Sequence, residues 1–437
     1  MLKFAFVKKL LPIFSLITVL VPGTLSAQEL PRPSMAHHDD QTHALPTDYN
    51  IKLGPVLFNF NSSLDGEYND NVGLNRSGSV SDFLLTPEVG MDMSWPVSDV
   101  NTLSLATSLG YTFYLFHPQY NTSHVLVSPN SRLSFDVYTG DFKINFHDEF
   151  SYEQDPVSQA VLSNIVNFDR FTNVAGIGVI WDLNKVILSL NYDHINFYSF
   201  DLQNINGSHA SNPGALNYSS DQVSASAELH FSSTFITGLE SVASMRSYDQ
   251  FSGAYETVTV GPFMKVQVTD HIKAEASAGF EYINSPTNSL AASQILQPNS
   301  FPISNAGSSS DSYYANLSLE QKVNAFYFHK VSLGHDLQLD LLGNQSDSTY
   351  LNYTSSWKVN NHLNIAFNLG LQNVDEGNGG LLGASSYNLF NAGAQANFPV
   401  TKNLSGAVFY QFNDKLADSS DQAYEQTKLG MILTYHF

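Results

Sequence analysis

The chain of 437 residues has no cysteine, which excludes disulfide frameworks, thiolate metal centres, cysteine nucleophiles and a lipid-anchored N-terminal cysteine. Charge is sparse at 14% of residues and one-sided, with 19 Lys and Arg against 40 Asp and Glu. A formal net charge of −21 argues against partners held by neutralised phosphates, nucleic acid above all. Long apolar runs are missing too. Beyond residue 30 none approaches the roughly 20 residues that a membrane-spanning helix needs, so a helical membrane protein is excluded. What remains is aromatic, small and polar: 30 Phe, 22 Tyr, 27 Gly and a hydrophobic share of 43%. Such a chain is too apolar to be disordered, and its composition favours one large closed sheet over several soluble domains.

The single short apolar run stands at the beginning. Lys3, Lys8 and Lys9 precede Leu10 to Val21, followed by Pro22, Gly23 and small residues up to Ala27. This order predicts a signal peptide over residues 1–27, cut after Ser26 or Ala27, although Leu25 departs from the small residue preferred before the cut. The alternative, an N-terminal membrane anchor, would need a longer run. Residues 28–54 are expected to be a flexible periplasmic extension, because they are polar, spaced by Pro31, Pro33 and Pro46, and have no face to bury. His37, His38, Asp39, Asp40 and His43 sit close enough together to suggest metal ligands, but nothing in the pattern orders them and no cofactor is expected.

From Val56 onward the period is two, which requires a pleated strand with neighbouring side chains on opposite faces. In the last segment Leu429, Met431, Leu433, Tyr435 and Phe437 fall on one face; Lys428, Gly430, Ile432, Thr434 and His436 fall on the other. Near the start, Phe58, Phe60, Leu64 and Tyr68 alternate with Asn59, Asn61, Ser63, Asp65, Glu67 and Asn69. Such runs are about twice the length of a usual soluble strand, and suit the roughly nine to eleven residues of a tilted strand crossing hydrocarbon. The apolar rows tend to end in aromatics, including Trp95, Trp181 and Trp357, where interfacial girdles would lie. Asp148 and His329 fall on the apolar row, which calls for a position above the hydrocarbon or a bulge that resets the register.

The connections are of two kinds. Tight turns recur at 95–99, 181–185, 268–271, 357–361 and 398–403, and between them lie Ser, Asn and Gly-rich stretches at about 117–130, 154–168, 200–217, 284–311, 374–386 and 413–424. One tight rim and one loose rim are what periplasmic turns and extracellular loops would give. The alternating segments are 56–69, 82–95, 102–116, 131–139, 142–153, 169–181, 185–199, 220–231, 234–248, 254–268, 271–283, 311–322, 326–337, 348–358, 362–373, 386–398, 404–412 and 425–437. The expected fold is therefore all-β: a transmembrane antiparallel up-and-down β-barrel over residues 55–437, with about 18 strands. Sixteen is the alternative, because 131–139, 326–337 and 404–412 are weak. An even number places both termini on the periplasmic side of a Gram-negative outer membrane, and the first strand must pair with the last, since lipid offers no water to a free edge.

The terminal strand resembles the end signal of bacterial outer-membrane barrels, with Lys428, Gly430, Leu433, Tyr435 and the final Phe437 at the matching positions. That resemblance implies recognition by the barrel-assembly machinery. Gly54-Pro55-Val56-Leu57-Phe58 and Glu67-Tyr68-Asn69-Asp70-Asn71 resemble the opening of an outer-membrane β-barrel porin family whose members often occur beside machinery for exopolysaccharide export. The likeness implies a barrel and saccharide or polysaccharide-export partners, and it brings no catalytic residues.

On the alternation, the inner wall holds Asp65, Glu67, Glu88, Asp92, Glu149, Glu153, Glu228, Glu275, Glu281 and Glu320 against Lys143, Lys265, Lys273 and Lys322. A water-filled lumen with more carboxylates than amines favours cations, which sits uneasily with an acidic polysaccharide and is relieved by a neutral one. Tyr114 and Phe116 could stack on sugar rings or pack under an inserted loop. His335 with Asp336, or His147 beside Asp148 and Glu149, could serve as acid–base pairs, but chance adjacency explains them and no enzyme is expected. The segments 375–380 and 414–421 are carboxylate-rich without forming a full calcium loop. The reading is a passive outer-membrane channel for polar solutes, plausibly saccharide. The alternative is a non-conducting surface barrel that acts as an adhesin or assembly scaffold.

Overall fold

A computed structural model describes residues 49–122, 124–156, 164–250, 253–286, 308–341, 343–376, 385–418 and 422–437. The signal peptide, the histidine cluster and most of the loops expected at 284–311 and 374–386 lie outside the described residues. The strands are β1 (Ile51–Leu53), β2 (Val56–Asn69), β3 (Asp82–Pro96), β4 (Thr102–Gly110), β5 (Phe113–Tyr114), β6 (Leu126–Thr139), β7 (Phe142–Glu153), β8 (Ile165–Asp182), β9 (Val186–Asn204) and β10 (Tyr218–Ser232). They continue as β11 (Phe235–Tyr248), β12 (Ala254–Thr269), β13 (Ile272–Ser285), β14 (Ser308–Asn324), β15 (Tyr327–Leu339), β16 (Gln345–Asn360), β17 (Leu363–Glu376), β18 (Ser385–Pro399), β19 (Leu404–Ala417) and β20 (Tyr424–His436). β1 folds back on β2, and β5 prolongs β4 after a break. The other eighteen are the staves of one antiparallel ring.

β2 pairs with β20 from Asn61 opposite His436 to Asn69 opposite Lys428, so the ring closes on itself. Closure satisfies backbone groups that hydrocarbon would leave unpaired. All eighteen expected segments are present, including the three weak ones, and sixteen strands are excluded. Several strands run further than the alternation shows. β8 begins at Ile165 because residues 165–170 are buried on both faces, and a segment covered on both sides has no reason to alternate.

Short turns close one rim at 97–101, 140–141, 183–185, 233–234, 270–271, 325–326, 361–362 and 400–403. Both ends of the ring lie at this rim, where His436 N–H donates to the Asn403 carbonyl. Residues 51–53, expected to belong to a loose extension, instead pair with Val56–Phe58. The Asn50 carboxamide donates to the carbonyls of Phe60 and Phe437, pinning this lead-in across the seam.

The two faces differ as the period requires. Leu64, Val89, Leu109, Leu190, Leu239, Leu369 and Met431 are exposed on the outside, the surface that acyl chains solvate. Trp95, Trp181 and Trp357 stand on this face near the short turns, with Trp181 stacked on Phe142 at 5.3 Å. Asp148 and His329 stay on the outward row; β7 pairs with β8 in unbroken register at Asp148, whereas the β14–β15 pairing shifts between Lys322 and Asn324, just beyond His329 on the side of the short turn. Each has a lateral partner. The Asn173 carboxamide donates to Asp148, and His329 Nε2 lies 2.9 Å from Gln321 Oε1.

Candidate functional site: the inner wall

Register decides which side chains share the inner face. Opposite pairs Asn59 with Asp92, Ser63 with Glu88, Asp65 with Thr86 and Glu67 with Leu84 bring Asp65, Glu67, Glu88 and Asp92 together on β2 and β3. Glu149, Glu153 and Lys143 stand on the inner row of β7, Glu228 on β10 and Lys265 on β12. Lys273, Glu275 and Glu281 follow on β13, with Glu320 and Lys322 on β14.

Most of these charges have partners. Lys265 Nζ is 3.0 Å from Glu228, Lys143 is 3.8 Å from Asp136, Lys322 is 3.9 Å from Glu320, and Lys428 is 3.3 Å from Glu67. Arg170 is held by Glu153 at 2.5 Å and Asp155 at 3.0 Å, and Arg132 by Glu149 at 3.3 Å. Asp65 and Asp92 make no ion pair among the described residues, and the Ser108 hydroxyl reaches Glu88 at 3.5 Å. Glu275 and Glu281 on β13 likewise make no ion pair among the described residues, Glu281 accepting instead from Thr259 and the Leu337 N–H, so unpaired carboxylate collects on β2 and β3 and again on β13. Arg132, Arg170, Arg246 and Lys330 were missed as inner-wall cations, although the alternation that marks the carboxylates marks them as well. Asp136, Asp193, Glu240 and Asp336 were missed on the same face, so the excess of carboxylate over cation is retained.

Towards the long-loop rim the interior is packed. β15 pairs with β14 only up to Ala315 opposite His335, while its pairing with β16 continues to Leu339 opposite Gln345. The tip of the β15–β16 hairpin thus leaves the ring and leans inward. Leu337, Leu339 and Leu341 join Phe197, Leu216, Tyr218, Tyr248, Tyr255 and Ile283 in one buried cluster. The Leu337 N–H donates to Glu281 at 2.9 Å, and Arg246 Nη1 donates to the Asp340 carbonyl at 3.2 Å. A second cluster joins Val72, Tyr114, Tyr120 and Val166. Tyr114 is covered by Tyr120, edge to face at 5.8 Å, and so is not available to a solute, while Phe116 is 65% exposed in the loop.

The adjacent acid–base pairs do not meet. His147 and Asp148, like His335 and Asp336, are chain neighbours on a strand and point to opposite faces. His147 lies 2.8 Å from Asp193 on the inner wall, whereas His335 packs outward on the Tyr313 ring at 4.4 Å. In the terminal strand, Gly430 faces inward beneath Phe409, and a Cβ there would stand 2.4 Å from the ring. Leu433, Tyr435 and Phe437 face outward, with Tyr435 edge-on to Phe437 at 5.2 Å. Of the carboxylate-rich loops, residues 377–380 and 421 lie outside the described residues.

No family model matches the chain, and no curated protein matches it in sequence. Solved structures do match in outline. The outer membrane protein opdK from Pseudomonas aeruginosa has 12% identity and a TM-score of 0.45, covering 87% of this chain and 98% of that one. OccK2 (OpdF) from Pseudomonas aeruginosa, solved in complex with glucuronate, has 9% identity and a TM-score of 0.47, covering 88% and 99%. OmpT, an outer membrane protein of Vibrio cholerae, has 10% identity and a TM-score of 0.42, covering 89% and 99%. At these scores the assignment of the fold stands on the chain's own closed register.

Proposed function

We propose that this chain is an outer-membrane channel for small polar solutes, plausibly saccharides. One observation carries the reading: an eighteen-stave ring closed between β2 and β20, apolar outside and lined within by carboxylates, amines and carboxamides. Rings of this size enclose more space than side chains alone fill, and polar groups facing that space are solvated by water. In this proposal Asp65, Glu67, Glu88, Asp92, Glu149, Glu228, Glu275, Glu281, Lys143, Lys265 and Lys273 line the pore. The termini and short turns face the periplasm, and Gly430, Leu433, Tyr435 and Phe437 address the assembly machinery. Exopolysaccharide as cargo rests on the sequence resemblance.

The inward hairpin favours a second reading, an ion-tight barrel that works through its loops. Planar-bilayer recording separates the two. Steady steps that prefer cations support the channel; a folded, inserted barrel that carries no current removes it.

A further inference from the structure

On the wall from β15 to β20 the inward charges stand at the margins, among them Lys330 and Lys428 on the two end strands and Asp336, Glu376 and Lys415 towards the long loops, and the band between them carries no charge. Cross-strand register places Ser332, Asn352, Gly370, Asn391 and Asn413 in one line across β15, β16, β17, β18 and β19. Gln426 of β20 extends the line, accepting from Asn413 at 3.2 Å and donating to Asn69 at 3.2 Å. A second line, two residues nearer the short turns, runs Thr354, Asn368, Gly393 and Gln411. Its flanking cations, Lys330 and Lys428, stand on the strands at either end.

The glycines are part of the design. A Cβ on Gly370 would stand 2.4 Å from the Asn391 carboxamide, and one on Gly393 would stand 2.3 Å from that of Asn368. Each carboxamide is thus folded over the opposite glycine and lies along the wall instead of projecting across the lumen. Asn352, Asn368, Asn391 and Gln411 have no hydrogen-bond partner among the described residues, while Gln426 and Asn413 are committed to each other. What the sector offers a passing solute is a series of unengaged donor and acceptor groups with no charge among them.

We infer that this carboxamide sector is a recognition surface for neutral polyhydroxylated solutes, such as linear neutral saccharides. The inference rests on the channel reading above and names its substrate class. A carboxamide supplies a donor and an acceptor side by side, and each sugar hydroxyl is both. A charge desolvated against the amides between Lys330 and Lys428 would be unmatched there, whereas hydroxyls exchange water hydrogen bonds for wall hydrogen bonds at little net cost. Spacing by strand register repeats the same chemistry from one strand to the next, as a repeating chain of sugars would require.

The test is single-channel recording of the full-length protein with maltotriose and, separately, with trigalacturonate as the probe. Maltotriose is expected to interrupt the ion current in a concentration-dependent way, and to do so more tightly than trigalacturonate. In the triple variant Asn352→Leu, Asn368→Leu, Asn391→Leu its affinity should fall about tenfold or more, since several hydrogen bonds are lost together. Should the triple variant fail to insert, Asn368→Leu with Asn391→Leu is read in the same way. A conducting barrel in which maltotriose has no effect, acts equally on the variant or is outcompeted by trigalacturonate overturns the inference and spares the channel. A barrel with no current overturns both.

Discussion

The inward tip of the β15–β16 hairpin is a clear mechanical element inside the ring, and it can be loosened deliberately. Leu341 is 2% exposed, Leu337 6% and Leu339 8%. Burying a leucine side chain contributes roughly 1.5–3 kcal/mol, so the three hold the tip by about 6 kcal/mol before the cost of ordering it. Truncating Leu341 to Ala removes its transfer energy and leaves a cavity, together about 2–5 kcal/mol, a third or more of what holds the tip. Leu341→Asp goes further, because a carboxylate would have to be desolvated among Tyr248, Tyr255 and Ile283. The expectation is that Leu341→Ala makes the current flicker between the parent level and a larger one, and that Leu341→Asp rests at the larger level. The assay is single-channel recording, with insertion checked by heat-modifiable electrophoretic mobility. If both variants insert and conduct with the parent's amplitude and noise, the hairpin does not narrow the path and the reasoning is refuted.

Three other expectations concern separate features. Replacing Asp65→Asn, Glu88→Gln and Asp92→Asn together should shift the reversal potential in a salt gradient toward anions, because three carboxylates without an ion pair stand together there; an unchanged potential would place selectivity elsewhere. Gly430→Val should lower refolding yield, since the new side chain meets the Phe409 ring and the Gly66 carbonyl at 2.9 Å; adding Phe409→Ala should recover part of the yield if crowding is the cause. Asn173→Leu should destabilise the barrel by about 1–3 kcal/mol in urea titrations from lipid, because it strips Asp148 of its partner on the outer wall. Replacing both Asp148 and Asn173 with Leu should restore most of that loss, and a double variant as weak as the single one would argue against the pairing.

The strand count was legible because a wall between lipid and water imposes the same two-residue alternation on every stave. Where that contrast failed, so did the legibility. Residues 165–170 have no alternation because both faces are covered, Ile165 in the cluster of Phe197 and Leu202 and Val166 in that of Val72, Tyr114 and Tyr120. The short strand at 51–53 lacks a face to bury and is held by backbone pairing and by Asn50, neither of which leaves a hydropathy pattern. Asp148 broke the pattern without breaking the β7–β8 register, because a polar neighbour on the next strand satisfies it laterally, and His329 is satisfied in the same way by Gln321 beside a register shift.

The inner wall was legible residue by residue but not as an arrangement. Alternation assigns Glu228 and Lys265 to the same face, yet only register shows that they touch, since 37 residues of chain separate them. The same holds for the carboxamide lines: Asn352, Asn391 and Asn413 look unremarkable along the chain, and become a surface only when β16, β18 and β19 are set beside β17. The inward hairpin is a third case. β15 keeps its two-residue period to the end, so nothing in its sequence marks the point after His335 where it parts from β14; the departure is fixed by what waits inside, the Glu281 carboxylate and the apolar side chains of β11 to β13. A period of two specifies which side chains face inward, whereas the distribution of charge, carboxamide and apolar packing around the ring is set by contacts between strands far apart in sequence. In the proposed channel selectivity would therefore reside in the register, and a one-strand change of charge should alter it without disturbing the fold.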